Sequence, residues 1–72
     1  MLTITEVNNH IENGGTVVIA SYTKPLLINK KVADRFRKSG YEVIKQDADG
    51  RGFRVQSGKS SLYVFAQSVV LR

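Results

Sequence analysis

Residues 41–67 read YEVIKQDADGRGFRVQSGKSSLYVFAQ, and two turn signals cut this stretch into three pieces. Asp47-Ala48-Asp49-Gly50 carries the Asp-Gly pair of a tight turn. Ser57-Gly58-Lys59-Ser60 is a second turn, in which glycine supplies a positive φ. The pieces between them are strand candidates over residues 41–46, 51–56 and 61–67. In the middle one Phe53 and Val55 share one face while Arg54 and Gln56 share the other, which is the period of a strand. In the third, Leu62, Val64 and Ala66 lie opposite Tyr63, Phe65 and Gln67. Both of its faces carry apolar side chains, so a helix is expected over one and a partner over the other. This half of the chain reads as antiparallel β-structure.

Upstream, Thr3-x-x-Glu6 has the form of a capping box, and Val7 with Ile11 forms an i, i+4 apolar pair. A short helix is expected over residues 4–13, closed at Asn13-Gly14-Gly15. Residues 16–22, TVVIASY, are β-branched and mostly apolar, as in a strand covered on both faces. Thr23-Lys24-Pro25 breaks that strand, since proline donates no ladder hydrogen bond. Leu26-Leu27-Ile28 leads to Asn29, a good N-cap, with Ile28 placed to staple against the next helix. That helix is expected over residues 30–39 and ends at Gly40. Val32, Ala33 and Phe36 share an apolar arc of roughly 100°, and the rest of the surface carries Lys30, Lys31, Asp34, Arg35, Arg37 and Lys38. Past Ser68, Val69-Val70-Leu71 is a further short strand or an apolar tail. The expected fold is one small α+β domain over residues 1–72, of order α-β-α-β-β-β, with helices packed on an antiparallel sheet.

Composition narrows the function. The chain has 72 residues, 11 Lys+Arg against 6 Asp+Glu, one His and no Cys or Trp. This length excludes an enzyme with a separate cofactor domain, and the absence of Cys excludes disulfides and thiolate metal sites. The reading is cytoplasmic, with no signal peptide. The apolar run Leu62-Tyr63-Val64-Phe65-Ala66 is far below the roughly 20 residues that span a bilayer, so no membrane partner is expected. Residues 1–29 carry a net charge of −1 and residues 30–72 a net charge of +6. A small body so charged attracts anionic partners.

The chemical motifs are mostly excluded. Gly58-Lys59-Ser60 matches the end of a phosphate-binding loop, but Phe53 stands where that loop needs its first glycine, and the segment joins two strands. Arg51-Gly52-Phe53 coincides with the first three positions of the aromatic strand motif of RNA-recognition domains. Arg54, Val55 and Gly58 depart from it, and the element order differs. His10 has no second His and no Cys, so it reads as a surface or helix-end residue. Asp47 and Asp49 read as turn formers. No motif ties the serines to His10 in a nucleophilic triad, so no enzyme activity and no cofactor are expected.

The leading expectation is a small basic, non-enzymatic binding module that contacts nucleic-acid phosphates, whether DNA or RNA. The helix would supply Lys30, Lys31, Arg35 and Lys38, and the hairpin Arg51, Arg54 and Lys59, with Tyr63 as a stacking ring. The alternative is a protein-binding inhibitor or adaptor, of the compact kind that viruses and mobile elements encode, docked on an acidic surface of a larger protein. The strand 61–67 and the tail 69–71 favour it, and could also pair two copies through the C-terminal strand.

Overall fold

The computed structural model describes residues 2–20 and 24–72. Helix α1, Ile4–Glu12, begins at a complete capping box. The Glu6 amide donates to Thr3 Oγ1 at 3.2 Å, and the Thr3 amide donates to Glu6 Oε1 at 3.2 Å. Each thereby satisfies an amide left open at the start of a helix. Val7 and Ile11, the expected apolar pair, are fully buried. Strand β1, Val17–Ile19, is shorter than the expected 16–22. Ser21 and Tyr22 of that expectation, and Thr23 of the break, lie outside the described residues.

The element order differs from the expected one immediately after Pro25. Leu26–Ile28 is a strand, β2, and not merely a lead into the helix. It pairs antiparallel with β1, setting Ile28 opposite Val17 and Leu26 opposite Ile19. Helix α2, Lys30–Lys38, follows at once, with Asn29 as N-cap accepting from the Val32 amide at 3.0 Å. Strands β3, Ile44–Gln46, β4, Gly52–Ser57, and β5, Ser60–Phe65, are the three expected from residues 41–67. A single 3₁₀ turn at Ala66–Ser68 then ends β5 early and delivers β6, Val69–Leu71.

Among the described residues there are two three-stranded antiparallel sheets, of order β2-β1-β6 and β3-β4-β5. The expectation of one sheet is therefore corrected. The reason is β6, which pairs with β1 (Val17 opposite Leu71, Ile19 opposite Val69) and leaves the hairpin strands behind. Cross-strand partners share a face. The buried face of the first sheet carries Val17, Ile19, Ile28 and Val69, and that of the second carries Ile44, Phe53 and Val55. With Val7, Ile11, Ala33 and Val43 they form one apolar cluster. Val64 pairs with Phe53 and packs against this cluster, which settles the inward face of β5. Among the described residues no helix is long and apolar enough to cross a membrane.

Phe53 is completely buried on the central strand of its sheet, whereas Leu62, also on the inner face, is 49% exposed at the edge. Phe53→Ala should therefore cost about 3–5 kcal/mol, most of the stability of a chain this small. Leu62→Ala should cost well under half of that, as measured by urea denaturation. Equal losses would contradict the core described here.

Candidate nucleic-acid interface

Helix α2 presents three kinds of surface because its residues advance about 100° per position. Ala33 is buried, with Val32 and Phe36 packed at the margin of the core. Lys30 and Arg37, seven residues apart, turn toward α1. There Glu12 accepts from Arg37 Nη1 at 2.8 Å and lies 3.9 Å from Lys30 Nζ. Arg37 also holds Asp34 at 3.2 Å. The hydrogen bond from Arg37 draws the Glu12 carboxyl below its ordinary range and raises the guanidinium in return. These pairs are exposed, so their worth is orientation more than stability. Glu12, from another element, is thus a second acid beside Asp34 for the bases of α2.

Lys31, Arg35 and Lys38 remain, on an arc of about 60° at that same pitch. All three are exposed, and together with Asp34 they line one shallow depression. None of the three forms an ion pair among the described residues. Of the four helix cations expected in the site, these three stay together, while Lys30 is drawn aside to Glu12.

The hairpin residues assemble differently. Lys45, Arg54 and Tyr63 are direct cross-strand partners on the outer face of the second sheet, and Gly52 is opposite Phe65. Arg54 Nε donates to Asp47 Oδ1 at 2.8 Å, and its guanidinium lies 5.6 Å from the centre of the Tyr63 ring. Tyr63 Oη donates to Asp49 Oδ2 at 2.6 Å. Phe65 meets Tyr63 edge to face, with ring centres 5.4 Å apart. Gly52 makes the arrangement possible. A Cβ there would lie 2.5 Å from the Val64 carbonyl oxygen and 2.6 Å from Tyr63 Oη, so only glycine lets the ring lie down across the strand. Tyr63 is thus framed by Gly52, Arg54, Phe65 and Asp49, and the ring left open is Phe65, 59% exposed. Tyr63, the expected stacking ring, is half-buried and held by these neighbours.

Asp49 is the turn former that the sequence suggested. Its Oδ1 accepts from the Arg51 amide at 2.8 Å and the Gly52 amide at 3.3 Å. The Tyr63 hydroxyl, then these amides, hold its carboxyl below the ordinary range, with help from the Arg51 cation. The Tyr63 phenol is raised, chiefly by that same hydrogen bond to Asp49. Arg51 itself lines a depression with Leu2, Phe65, Ala66 and Gln67. Lys59 sits at the β4–β5 turn beside Gly58, whose φ is +61°. His10 Nε2 lies 2.6 Å from the Arg72 carbonyl oxygen, a satisfied helix-end histidine.

The sequence reasoning did not single out Lys45, Phe65 or Tyr41. Lys45 and Phe65 were reachable by strand alternation, which sets Lys45 beside Arg54 and Phe65 beside Tyr63 once the register is known. Comparison with protein-family models, with characterised proteins and with solved structures gives no match.

The Tyr63–Asp49 bond has a pH signature. A depressed carboxyl stabilises the fold above its unfolded value of about 4 and loses that contribution as pH falls through the folded value. A raised phenol stabilises below about pH 10 and loses its contribution as pH rises beyond that value. Tyr63→Phe should remove the alkaline loss and weaken the acid one, seen in thermal melts between pH 3 and 11. Gly52→Ala should strain the β4–β5 ladder at the Val64 carbonyl and displace the ring, at a cost of about 1–3 kcal/mol, and ultraviolet titration should then find the Tyr63 phenol back near its ordinary value.

Proposed function

We propose that this chain is a small, basic, non-enzymatic module that binds nucleic acid chiefly through backbone phosphates, with α2 as the contact element. The observation that carries the reading is the stripe of Lys31, Arg35 and Lys38, exposed together and without ion pairs among the described residues. Each such cation can neutralise one phosphate and release its counterion. The stripe is also costly to the helix itself. The first turn of α2 contains no acid, and Lys31 stands at the positive end of the helix dipole. Lys31 and Arg35 are like charges at i, i+4, which destabilises a helix by about 0.2–0.5 kcal/mol. A polyanion lying along the stripe reverses both penalties.

On this reading Lys59 flanks the stripe, because its neighbour Gly58 lines a depression shared with Arg35. Arg54 is secondary, its charge being paired with Asp47, and Arg51, which forms no ion pair among the described residues, lies off the stripe beside Phe65. Contacts of this kind fix position without reading bases, so sequence preference should be weak.

One observation favours the alternative, a protein-binding inhibitor or adaptor. On the outer face of the first sheet Leu27, Val18 and Val70 form a cross-strand apolar row, with Leu27 55% and Val70 49% exposed. Strand β6 is an edge of that sheet, the geometry by which a second copy could pair. A nuclease-insensitive, stoichiometric protein partner in a pull-down would favour this reading, and light scattering would show a dimer.

The direct test is fluorescence anisotropy with labelled DNA and RNA at about 50 and 200 mM salt. Binding should weaken steeply with salt. Lys31→Gln, Arg35→Gln and Lys38→Gln combined should reduce the slope of log K against log salt by about 2–3, at 0.7–0.9 per phosphate contact. No binding at the lower salt removes the proposal.

A further inference from the structure

The cationic stripe of α2 runs into an aromatic cleft, and the way the helix ends builds the junction. Gly40, at φ +87°, takes the left-handed conformation beyond the last turn. Its amide donates to the Arg37 carbonyl at 3.0 Å, and the Tyr41 amide donates to the Phe36 carbonyl at 3.0 Å. This pair of bonds is a Schellman closure, which sets the residue after the glycine beside the one four places before it. Here those residues are Tyr41 and Phe36. Both line a depression of about 210 Å³, together with Arg35, Ser39 and Gly58. Tyr41 is nevertheless 50% exposed, so its ring is anchored at the backbone and open to solvent. Arg35 belongs to this depression and also to the one it shares with Lys31 and Lys38. One side chain therefore joins a line of cations to a ring.

We infer that Tyr41 and Phe36 form a stacking cleft for one unpaired base, so that the preferred ligand is single-stranded nucleic acid whose backbone follows Lys31, Arg35 and Lys38. The inference rests on the phosphate-binding reading above and adds the class of ligand. A duplex keeps its bases stacked inside and has none to offer a cleft beside its phosphates. A free strand has one at every step, and any base will serve because each has a π-face. The cleft is smaller than the roughly 300–1,000 Å³ of pockets for drug-sized ligands, which suits a single ring. Phe65 is more exposed, but its ring partner Tyr63 is bonded to Asp49, and Asp47 lies on the same face through Arg54. The depression beside Phe65 holds one cation, Arg51, whereas the Tyr41 cleft adjoins the three of α2 through Arg35. Around the Tyr41 cleft Asp34 is occupied by Arg37, and Glu42 also acts on the Arg37 charge.

The test compares a labelled oligothymidine strand with a duplex of equal length by anisotropy, using wild type, Tyr41→Leu and Tyr41→Phe, with folding of each checked by circular dichroism. Leucine keeps an apolar side chain and removes the ring. Wild type should prefer the strand. Tyr41→Leu should weaken strand binding by about tenfold, as expected for one lost base–aromatic stack, with the salt slope and duplex binding unchanged. Tyr41→Phe should bind as wild type does. If Tyr41→Leu binds the strand as tightly as wild type, the cleft is overturned while the phosphate reading stands. If wild type binds neither ligand at low salt, both fall together.

Discussion

Val17 and Ile19 are buried on a strand only three residues long, and that strand is hydrogen-bonded on both edges. On one side it takes Leu26–Ile28, the segment just before α2, and on the other Val69–Leu71, from the far end of the described chain. The ladder with β6 extends past the strand ends, through Thr16 with Arg72 and through the Ala20 amide to the Ser68 carbonyl. A three-residue strand paired on one edge alone would be marginal. Paired on both, it closes the chain on itself and fixes where α2 begins. Ile28 ends β2 buried opposite Val17, and Asn29, the next residue, caps the helix. The direction of the cationic stripe thus follows from β-pairing, one residue upstream of it.

The second sheet solves a different problem, that of carrying cations and aromatic rings on an open face without a covering layer. It does so by pairing them internally. Arg54 lies against Tyr63 and is bonded to Asp47, Tyr63 is bonded to Asp49, and Asp49 closes the turn that positions β4. Deleting the side chain at Gly52 makes room for the ring, so a single glycine supports a network that spans two strands and a turn. Of the cations on and beside this face only Arg54 is ion-paired; Lys45, Arg51 and Lys59 form no ion pair among the described residues. Among the hairpin candidates Arg54 is thus set apart from Arg51 and Lys59 by its bond to Asp47.

What the sequence made legible was local. The capping box, the Asn29 cap, the two hairpin turns and the alternation of Phe53 and Val55 depend on residues within a few positions of each other, and each forms as its chemistry dictates. Strand β2 was illegible because three residues after a proline carry no period; only the partner strand makes Leu26–Ile28 a strand. The second sheet was hidden for a like reason. Ser68 marked an interruption, but that the chain turns there and crosses to β1 depends on a pairing some fifty residues distant in sequence. In the candidate site, Lys30 and Lys31 are indistinguishable as adjacent lysines. Glu12, 25 residues from Arg37, separates them by claiming one side of the helix. Tyr41 looked like the first residue of a strand, and its place beside Phe36 follows from the Gly40 closure and the late start of β3 at Ile44.

The two helices serve as controls for each other. Both have nine residues, both begin at a side-chain cap, and both bury one apolar stripe. Helix α1 obeys the rules for an isolated helix: Glu6 stands in the first turn, where the dipole is positive, and His10 in the last, where it is negative. Helix α2 obeys them only at its C-terminal end, with Arg35, Arg37 and Lys38, and breaks them at the start, where Lys30 and Lys31 replace the acids that would stabilise it. Solubility does not account for the difference, since acids in that turn would be equally soluble and more stabilising. Burial does not account for it either, because both lysines are exposed. For Lys30 the fold provides an answer in Glu12. For Lys31 it provides none among the described residues; Arg35 and Lys38, on the same arc, obey the dipole rule and are likewise without an ion pair among the described residues. A local rule broken without compensation inside a fold tends to mark the surface that works on something outside it, and Lys31, the residue of the stripe that breaks one, is where the proposed phosphate contact would offset the cost.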